Sequence, residues 1–448
     1  MTSDDPFLSA QRDRWETLDP IEVPFETFAH WKATMHSFFR LTFIGLLIGC
    51  QHDFFCPSSA TALAVDDTNQ AAAAAPNVES NRVHLRGSLL NCLHRFEHDK
   101  EGHVVFLGGS ITEMAGYRPR VEAWLTARFP ETKFTFTNAG ISSTCSHTGA
   151  FRLDRDVLSK GPVDLLLVEF AVNDDQDAHH TADDCIRGME GIIRHVSRHN
   201  PKSDIVMIHF VNPEMLATAQ SRSMHLSAAQ HEAVAKHYNV SSIDLPGEVS
   251  DRVTAGTLTW EQFGGTHPGP IGNQLATDLV AELLTAGWKA APADAAPRHS
   301  LTPLLKSSFE HGQFLSHDAV TIGDGWTRGI PDWKSIAGSQ RERFNQEEMF
   351  FSTQPGAALT LKFTGTAVGA FVLAGPDAGQ LMVQIDGGDW KTVELYHSYS
   401  AGLHYPRTVM FASDLPDGPH EVRVQVSQEH HAKSKDHAAR VLAFVANF

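Results

Sequence analysis

The central part of the chain alternates short apolar runs with amphipathic stretches. The runs are rich in β-branched and aromatic residues and lie at 103–107, 134–138, 163–170, 204–211 and 240–245. Between them, over 121–129 and 186–196, apolar residues recur at the spacing of a helix with one buried face. Strands that alternate with helices in this way predict a parallel sheet covered on both sides. We therefore expect a flavodoxin-like α/β domain, a three-layer sandwich with a central parallel sheet, over 81–289.

The pattern changes after Trp288. The segment 290–303 begins rich in proline and alanine, and we interpret it as a linker. Beyond it the helical period disappears, and short alternating runs follow one another between turn sequences. These runs lie at 358–363, 367–373, 380–385, 391–396, 409–411, 421–426 and 441–448. They predict an all-β, jelly-roll-like sandwich domain over 304–448.

The segment 1–80 is expected to hold a leader, a signal segment and a linker. Its run 38–49 is apolar apart from one arginine, is too short to span a bilayer comfortably, and follows Met35, which we interpret as the true start. Ala-Leu-Ala at 62–64 fits signal peptidase, whereas the sequence ending at Cys50 resembles a bacterial lipobox and predicts a lipid anchor there. Export to the periplasm, the cell surface or the medium is expected. The alternative is that 38–49 is a buried helix of a longer domain.

The amino-acid composition restricts the classes of molecule that the protein is expected to bind. The chain has 53 acidic and 36 basic side chains, for a formal charge of −17. Nucleic-acid phosphates demand a basic surface, so nucleic acid is excluded as a partner. The five cysteines form no CxxC pair, so the sequence suggests neither a zinc knot nor a redox motif.

Four polar blocks of the α/β half each follow a predicted strand or a turn. They are Gly108-Gly109-Ser110-Ile111-Thr112, Asn138-Ala139-Gly140, Val172-Asn173-Asp174 and Thr266-His267-Pro268. Ligands of open α/β sheets bind beyond the carboxyl ends of the strands, where these blocks would lie. A serine exposed by glycines, a glycine N–H, an asparagine amide and a histidine base are the groups that acyl transfer needs. Taken singly, each block is also explained as a plain turn.

Together, the order Ser, Gly, Asn, His resembles the signature of the SGNH/GDSL hydrolase superfamily, over about 103–288. The resemblance implies the SGNH hydrolase fold and a serine esterase acting on small acyl esters. It implies Ser110 as the nucleophile and His267 as its base. It also implies an oxyanion hole formed by the backbone N–H groups of Ser110 and Gly140 and by the Asn173 side chain. This chemistry requires no cofactor and no metal.

The sequence departs from the family pattern at two positions. Gly109 stands where the family usually has an aspartate before the serine. The acid that orients the histidine normally lies three residues before it, and that position is Gly264. Either His267 therefore works in a dyad, or another acid substitutes for the missing one. Glu261 is the nearby candidate.

Two further groups of reactive residues receive a simpler interpretation. The acidic and histidine-rich stretch 174–184 invites a metal, but we expect Thr181 to cap the next helix with Asp184 and the other side chains to be solvated. Cys145 and His147 fall in a predicted site-lining loop. Cys145 lacks the strand–turn setting of a nucleophile, so we do not assign it one.

The β half resembles galactose-binding-like or jelly-roll modules that accompany carbohydrate esterases. Its aromatic and histidine side chains are candidates for stacking on sugars: Trp390, Tyr396, His397, Tyr399 and Tyr405. With the predicted export, this resemblance favours O-acetyl groups of an acylated carbohydrate as the substrate. Two alternatives stay open, an acyltransferase that uses the same site and a catalytically weak glycan-binding surface protein.

Overall fold

The computed structural model describes residues 82–291 and 298–448. The predicted leader, the signal segment and the candidate anchor Cys50 lie outside the described residues. The described part falls within one compact unit of the chain. It contains no helix that is both long and apolar enough to cross a membrane.

The α/β half is built on one sheet of six strands. These are β1 (Val83–His84), β2 (Glu101–Gly108), β3 (Lys133–Gly140), β4 (Leu165–Val168), β5 (Asp204–His209) and β6 (Ser241–Asp244). Their order across the sheet is β1-β6-β5-β4-β2-β3. Strands β2 to β6 run parallel to their neighbours, and β1 pairs with β6 in the antiparallel direction at one edge.

Helices cover both faces of this sheet. They are α1 (Leu90–His94), α2 (Ser110–Glu113), α3 (Tyr117–Arg128), α4 (Ser146–Phe151), α5 (Leu153–Asp156), α6 (Ala182–His199), α7 (Pro213–Gln220), α8 (Leu226–His237), α9 (Leu245–Thr254), α10 (Trp260–Phe263) and α11 (Pro270–Gly287). Successive strand residues point to opposite faces. Val104 and Phe106 therefore pack in one core with α3 and α11, and Val105 and Leu107 pack in another with α4 and α6. The predicted three-layer sandwich is confirmed.

The β half contains two antiparallel sheets. Its strands are β7 (Gly312–Phe314), β8 (Val320–Ile322), β9 (Thr327–Gly329), β10 (Met349–Ser352), β11 (Ala358–Gly365), β12 (Ala367–Ala374), β13 (Gln380–Ile385), β14 (Lys391–Glu394), β15 (Tyr405–Ala412), β16 (Gly418–Val426) and β17 (Ala439–Asn447). One sheet has the order β15-β12-β17-β10-β9, with β7 also on β17, and the other has the order β14-β13-β16-β11-β8. Their inner faces share one apolar core, which confirms the predicted sandwich.

The two halves pack together through a continuous apolar core. Phe309 lies at its centre, and its ring centroid is 4.6 Å from that of Phe151 in α4. Gly191 of α6 gives Phe309 room, because a Cβ there would stand 2.7 Å from the Phe309 carbonyl carbon. Phe371 of β12 and Leu442 of β17 belong to the same core. Neither half therefore closes this core alone.

The segment predicted as a linker packs against the α/β half in its described part. The Arg298 guanidinium donates to the Ser203 carbonyl at 3.0 Å, and the Leu301 carbonyl accepts from the Arg194 guanidinium at 2.6 Å. The first strand of the sandwich begins only at Gly312. The chain therefore runs along the α/β half before it enters the β half.

Candidate active site

Ser110 stands on a tight turn between β2 and α2. The turn requires glycines, because a Cβ on Gly108 would lie 2.1 Å from Glu169 Oε1 and one on Gly109 would lie 2.1 Å from Asn173 Oδ1. The Gly109 N–H donates to Glu169 Oε1 at 2.9 Å, and this hydrogen bond holds the turn against the residue that follows β4. Gly109 therefore replaces the family's aspartate for a steric reason. The turn presents the Ser110 side chain at the carboxyl edge of the sheet.

His267 faces this serine from the loop between α10 and α11. Its Nε2 lies 2.7 Å from Ser110 Oγ. The loop is anchored at the start of α11, where the Asn273 amide donates to the carbonyl of Pro268. In the part of the chain that the structure describes, the Ser110 hydroxyl is the one side chain that His267 hydrogen-bonds. The structure therefore brings together the two residues that the sequence predicts as nucleophile and base.

Position 264 has no room for an orienting acid. Gly264 ends α10 with a φ of 104°, in the left-handed region, and a Cβ there would stand 1.9 Å from the Gly269 nitrogen. Glu261 is exposed in the first turn of α10 and makes no hydrogen bond to His267. The role predicted for Glu261 has no contact in this structure to support it.

Asp177 is the carboxylate whose charge interacts with His267. It is buried one turn after Asn173, on a π-helical turn, Asn173–Asp177, that follows β4. Burial raises the pKa of Asp177 above its ordinary value, although hydrogen bonding from Asn173 and the charge of His267 both act to lower it. The sequence analysis overlooked Asp177 because it placed this residue among solvated side chains.

Asn173 lies beside the nucleophile. Its side chain contacts the Cα of Gly109 so closely that a Cβ would collide with it, and its Nδ2 donates one hydrogen to the Asp177 carboxylate. An amide nitrogen carries two hydrogens, so one remains for a substrate oxygen. Asn173 thus lies against Gly109, and its place in an oxyanion hole stays a prediction.

Gly140 ends β3 beside α2. Its backbone N–H donates to Asn138 Oδ1 at 3.0 Å in this structure. A glycine is needed there, because a Cβ would lie 2.3 Å from the Glu113 nitrogen of α2. The place of Gly140 in an oxyanion hole stays a prediction, and its N–H would have to leave Asn138 to meet a substrate oxygen.

Two arginines of the β half hold the loop that follows Gly140. Arg343 donates to the Gly140 carbonyl at 3.0 Å and to Glu113 Oε1 at 2.6 Å. Arg341 donates to the Ser142 carbonyl at 2.7 Å and to the Ser143 hydroxyl at 2.8 Å. No motif marks these arginines in the sequence. The β half thus supports a loop directly beside the nucleophile.

The predicted sugar-stacking residues divide into buried and exposed ones. Tyr405 and Tyr396 are buried, and Tyr405 stacks on His397 with ring centroids 4.4 Å apart. His397 in turn contacts the Asp177 carbonyl at 2.9 Å through Nε2. Trp390 and Tyr399 are exposed and stay candidates for sugar contact.

Several side chains of the stretch 174–184 are buried, although they were expected to be solvated. Thr181 caps α6 as expected, since its side chain accepts the Asp184 N–H. The expectation that the other side chains are solvated is wrong for Asp174, Asp177 and His180, which the α/β core and the β half bury. A cavity of about 280 Å³ lies between the two halves here, and Asp177 and His180 are part of its wall.

Comparison with known proteins agrees with this architecture. Residues 106–275, which include Ser110, Asn173 and His267, match the GDSL-like Lipase/Acylhydrolase family. The chain is similar to a two-domain esterase active on acetylated mannans, in a crystal structure with mannopentaose, at 21% identity and a TM-score of 0.67 over 82% of this chain and 96% of that one. Another structure of a two-domain esterase active on acetylated mannans has 21% identity and a TM-score of 0.66, over 82% of this chain and 97% of that one. Among curated protein sequences none matches significantly.

Proposed function

We propose that this carboxylic ester hydrolase, whose residues 106–275 form a GDSL-like lipase/acylhydrolase domain, removes O-acetyl groups from a polysaccharide with Ser110 as nucleophile and His267 as base. The observation that carries the proposal is the 2.7 Å contact between Ser110 Oγ and His267 Nε2 at the carboxyl edge of the sheet. Nucleophile and base need to lie within hydrogen-bond reach for proton transfer, and this pair does.

The proposed reaction has two steps. Ser110 Oγ attacks the acetyl carbonyl while its proton passes to His267 Nε2, and the oxyanion that forms is stabilised by the Ser110 N–H and the Asn173 amide. The protonated His267 then gives that proton to the leaving sugar hydroxyl, which leaves an acetyl-serine. Water activated by His267 releases acetate by the same route and restores the hydroxyl of Ser110.

The substrate class follows from the setting of the pair. Both residues lie at an open surface, with Ser110 half-buried and His267 exposed, so a bulky polymer can reach them. The β half places exposed aromatic side chains on the same molecule, and flat aromatic faces suit sugar rings. The similar two-domain esterase acts on acetylated mannans. Acetylated mannan is therefore the polysaccharide that we would assay first.

Hydrolysis of p-nitrophenyl acetate by the full chain tests the proposed nucleophile. Ser110→Ala and His267→Ala should each lower kcat by about 10⁴-fold or more, because removal of either member disables the pair. His199→Ala, at an exposed histidine near the end of α6, serves as a matched histidine control and should keep full activity. Equal rates for the wild type and Ser110→Ala would exclude Ser110 as the nucleophile. Acetate release from acetylated mannan, compared with transfer to added alcohols, then separates hydrolysis from acyl transfer.

Export is a separate proposal. It rests on the apolar run 38–49, which lies outside the described residues. Intact-mass analysis of protein recovered from its producing cells tests it, because a mature chain that still begins at Met1 would contradict processing. A mass that includes a diacylglyceryl group on Cys50 would support the lipid anchor.

A further inference from the structure

Cys145 and His180 line the cavity between the two halves, and the Asp174 carboxylate lies close to both of them. Cys145 precedes α4, Asp174 lies on the π-helical turn, and His180 lies in the loop before α6. One ligand atom from each of these residues lies within 4.8 Å of the other two. Cys185 and His231 form a second group of the same kind with Asp174. The sequence separates these residues, and the fold brings them together.

Asp174 is held in place before any ligand arrives. Its Oδ1 accepts the Ser146 N–H at 2.7 Å, and its Oδ2 accepts the Ser146 hydroxyl at 2.6 Å and meets His231 Nε2 at 2.9 Å. Its side chain is fully buried. A carboxylate fixed by its neighbours in this way resembles the oriented ligands of metal sites.

His180 carries an unused ring nitrogen that points into this group. Its side chain is 9% exposed, and its Nδ1 lies 3.5 Å from Asp174 Oδ2 without a hydrogen-bond partner in the described structure. The 3.5 Å contact with Asp174 is an ion pair that is too long for a good hydrogen bond, and a buried polar atom without such a bond costs about 1–3 kcal/mol. An ion bound between His180, Asp174 and Cys145 would give this nitrogen a partner.

The cavity gives an ion access and a free coordination position. Cys145 and His180 both line the 280 Å³ space between the two halves. Its wall also carries the acidic side chains Asp177, Asp184 and Glu394 against the single guanidinium of Arg407. The local balance of charge therefore favours a cation.

We propose that Cys145, Asp174 and His180 bind one Zn²⁺ ion, with the fourth position facing the cavity. Sulfur, nitrogen and carboxylate oxygen are the donors that Zn²⁺ takes in proteins, and three protein ligands with an open fourth position are common. Binding displaces the Cys145 thiol proton and the proton on the coordinating His180 nitrogen to solvent, since both atoms bind a metal only when deprotonated, and it requires no oxidant. The ion would join the loops before α4 and α6 to the turn that carries Asn173. Its role is structural and does not depend on the proposed esterase reaction.

Direct metal binding tests the proposal. The full chain, kept reduced with a phosphine, is stripped of metal with a chelator and titrated with Zn²⁺ against a chromophoric competitor. Elemental analysis should find one zinc per chain. Cys145→Ser should weaken binding by about 100-fold or more, since even the loss of a residue that only hydrogen-bonds a metal ligand costs up to that much. Cys92→Ser is the matched control, because Cys92 is also a buried free cysteine but contacts Trp288 and Asp204 instead.

Cobalt substitution identifies the ligands. Co²⁺ bound by the wild type should give a thiolate-to-cobalt charge-transfer band that Cys145→Ser lacks and Cys92→Ser keeps. His180→Gln provides a second variant, and should lose zinc binding while it retains the melting temperature of the metal-free wild type. Ser110→Ala should bind zinc as the wild type does, so a failed esterase assay leaves this test intact.

Three results would overturn the proposal. One is equal zinc affinity in the wild type and Cys145→Ser. Another is the absence of stoichiometric zinc in the reduced wild type. The third is loss of binding in His267→Ala, which would place the ion at the catalytic histidine.

Discussion

Gly264 shows how one small residue decides which catalytic group the site can have. Its left-handed backbone ends α10, and the Gly269 nitrogen fills the space that a side chain would need. The neighbouring Gly265 also has a positive φ, of 82°, but no atom lies within 4 Å of a Cβ built there. Comparison of substitutions at Gly264 and Gly265 therefore separates the effect of backbone strain from the effect of a steric clash.

We expect Gly264→Asp to lose activity although it restores the family's acid. The loss of stability should reach at least about 3 kcal/mol, because a forced backbone shift adds to the strain of a positive φ. Gly265→Asp should lose only about 1–2 kcal/mol, for the strain alone. Urea unfolding and kcat/KM for p-nitrophenyl acetate measure both effects. A Gly264→Asp variant that is more active than the wild type would contradict the steric argument.

Asp177 should support the reaction more than Glu261 does. Asp177→Ala removes the acceptor that holds the Asn173 amide, so kcat should fall about 10- to 100-fold, less than the roughly 10²- to 10³-fold effect of losing an oxyanion donor outright. Glu261→Gln should leave kcat unchanged within about twofold, since Glu261 makes no contact with His267. Asp177→Asn, which keeps an acceptor, should fall between them. Steady-state rates that rank Glu261→Gln below Asp177→Ala would reverse this assignment.

Glu169, which is buried beneath the turn that carries Ser110, should make the free energy of unfolding depend on pH. Burial raises the pKa of Glu169 to about 7, from an ordinary 4.5, and its Oε2 has no hydrogen-bond partner. The folded state then holds a proton that the unfolded state releases, so this carboxyl stabilises the fold below about pH 4.5, and the contribution is lost as pH rises to about 7. Glu169→Gln mimics the neutral form, and should flatten the fall of unfolding free energy across that window. Urea unfolding at several pH values compares the two proteins, and identical slopes would contradict the raised pKa.

At the scale of elements, the segment 341–343 of the β half contacts the α/β half close to Ser110. It is a short piece of the β half, yet its arginines bind the carbonyls of Gly140 and Ser142. Those carbonyls belong to the loop after β3, next to the helix that begins with Ser110. The geometry near the nucleophile therefore depends on an element of the other half.

Arg343→Ala should lower kcat by about tenfold with a smaller change in KM for p-nitrophenyl acetate. The substitution releases Glu113 and the Gly140 carbonyl together, and small displacements near a nucleophile cost one to two orders of magnitude. Arg328→Ala is the control, because Arg328 forms an exposed ion pair with Glu348 within the β half. If both variants keep the wild-type kcat, the arginine contacts do not position the site.

Elements that follow a local pattern were predictable from the sequence, and contacts between distant elements were not. Periodicity indicated β2, α3 and α6, because their apolar spacing records which face is buried. The turns at Gly109 and Asn173 followed from small and polar residues at strand ends. The hydrogen bond from the Gly140 N–H to the Asn138 side chain was not predicted, although the two residues are close in the sequence, because periodicity does not show where a side-chain amide points. No local pattern shows that Arg343 reaches a loop 203 residues earlier.

At the scale of the whole molecule, the two halves share a core that neither completes alone. Phe309 packs against Phe151 and α6 on one side, and its neighbours in the core include Phe371 and Leu442 of the sandwich. Large apolar surfaces shared between domains couple their unfolding. The domain boundaries stay predictions, and the shared core leads us to expect that the two halves unfold together.

The wild type should therefore unfold in one calorimetric transition. Phe309→Ala should cost about 3–5 kcal/mol, because it empties the middle of the shared core, and should split the transition in two. Phe363→Ala, within the sandwich core alone, should lower the melting temperature without splitting the transition. Two resolved transitions in the wild type would contradict the coupling.

Arg343 and Gly140 are 203 residues apart in the sequence, so their contact can form only late during synthesis of the chain. The ribosome makes the serine turn and its loop early, but the arginine that braces them follows 203 residues after Gly140. The strand β17, Ala439–Asn447, lies between β12 and β10. The sandwich can therefore close only after β17 has left the ribosome. The nascent protein carries its reactive serine long before that serine is fully supported, so maturation of the active site waits for the last strand.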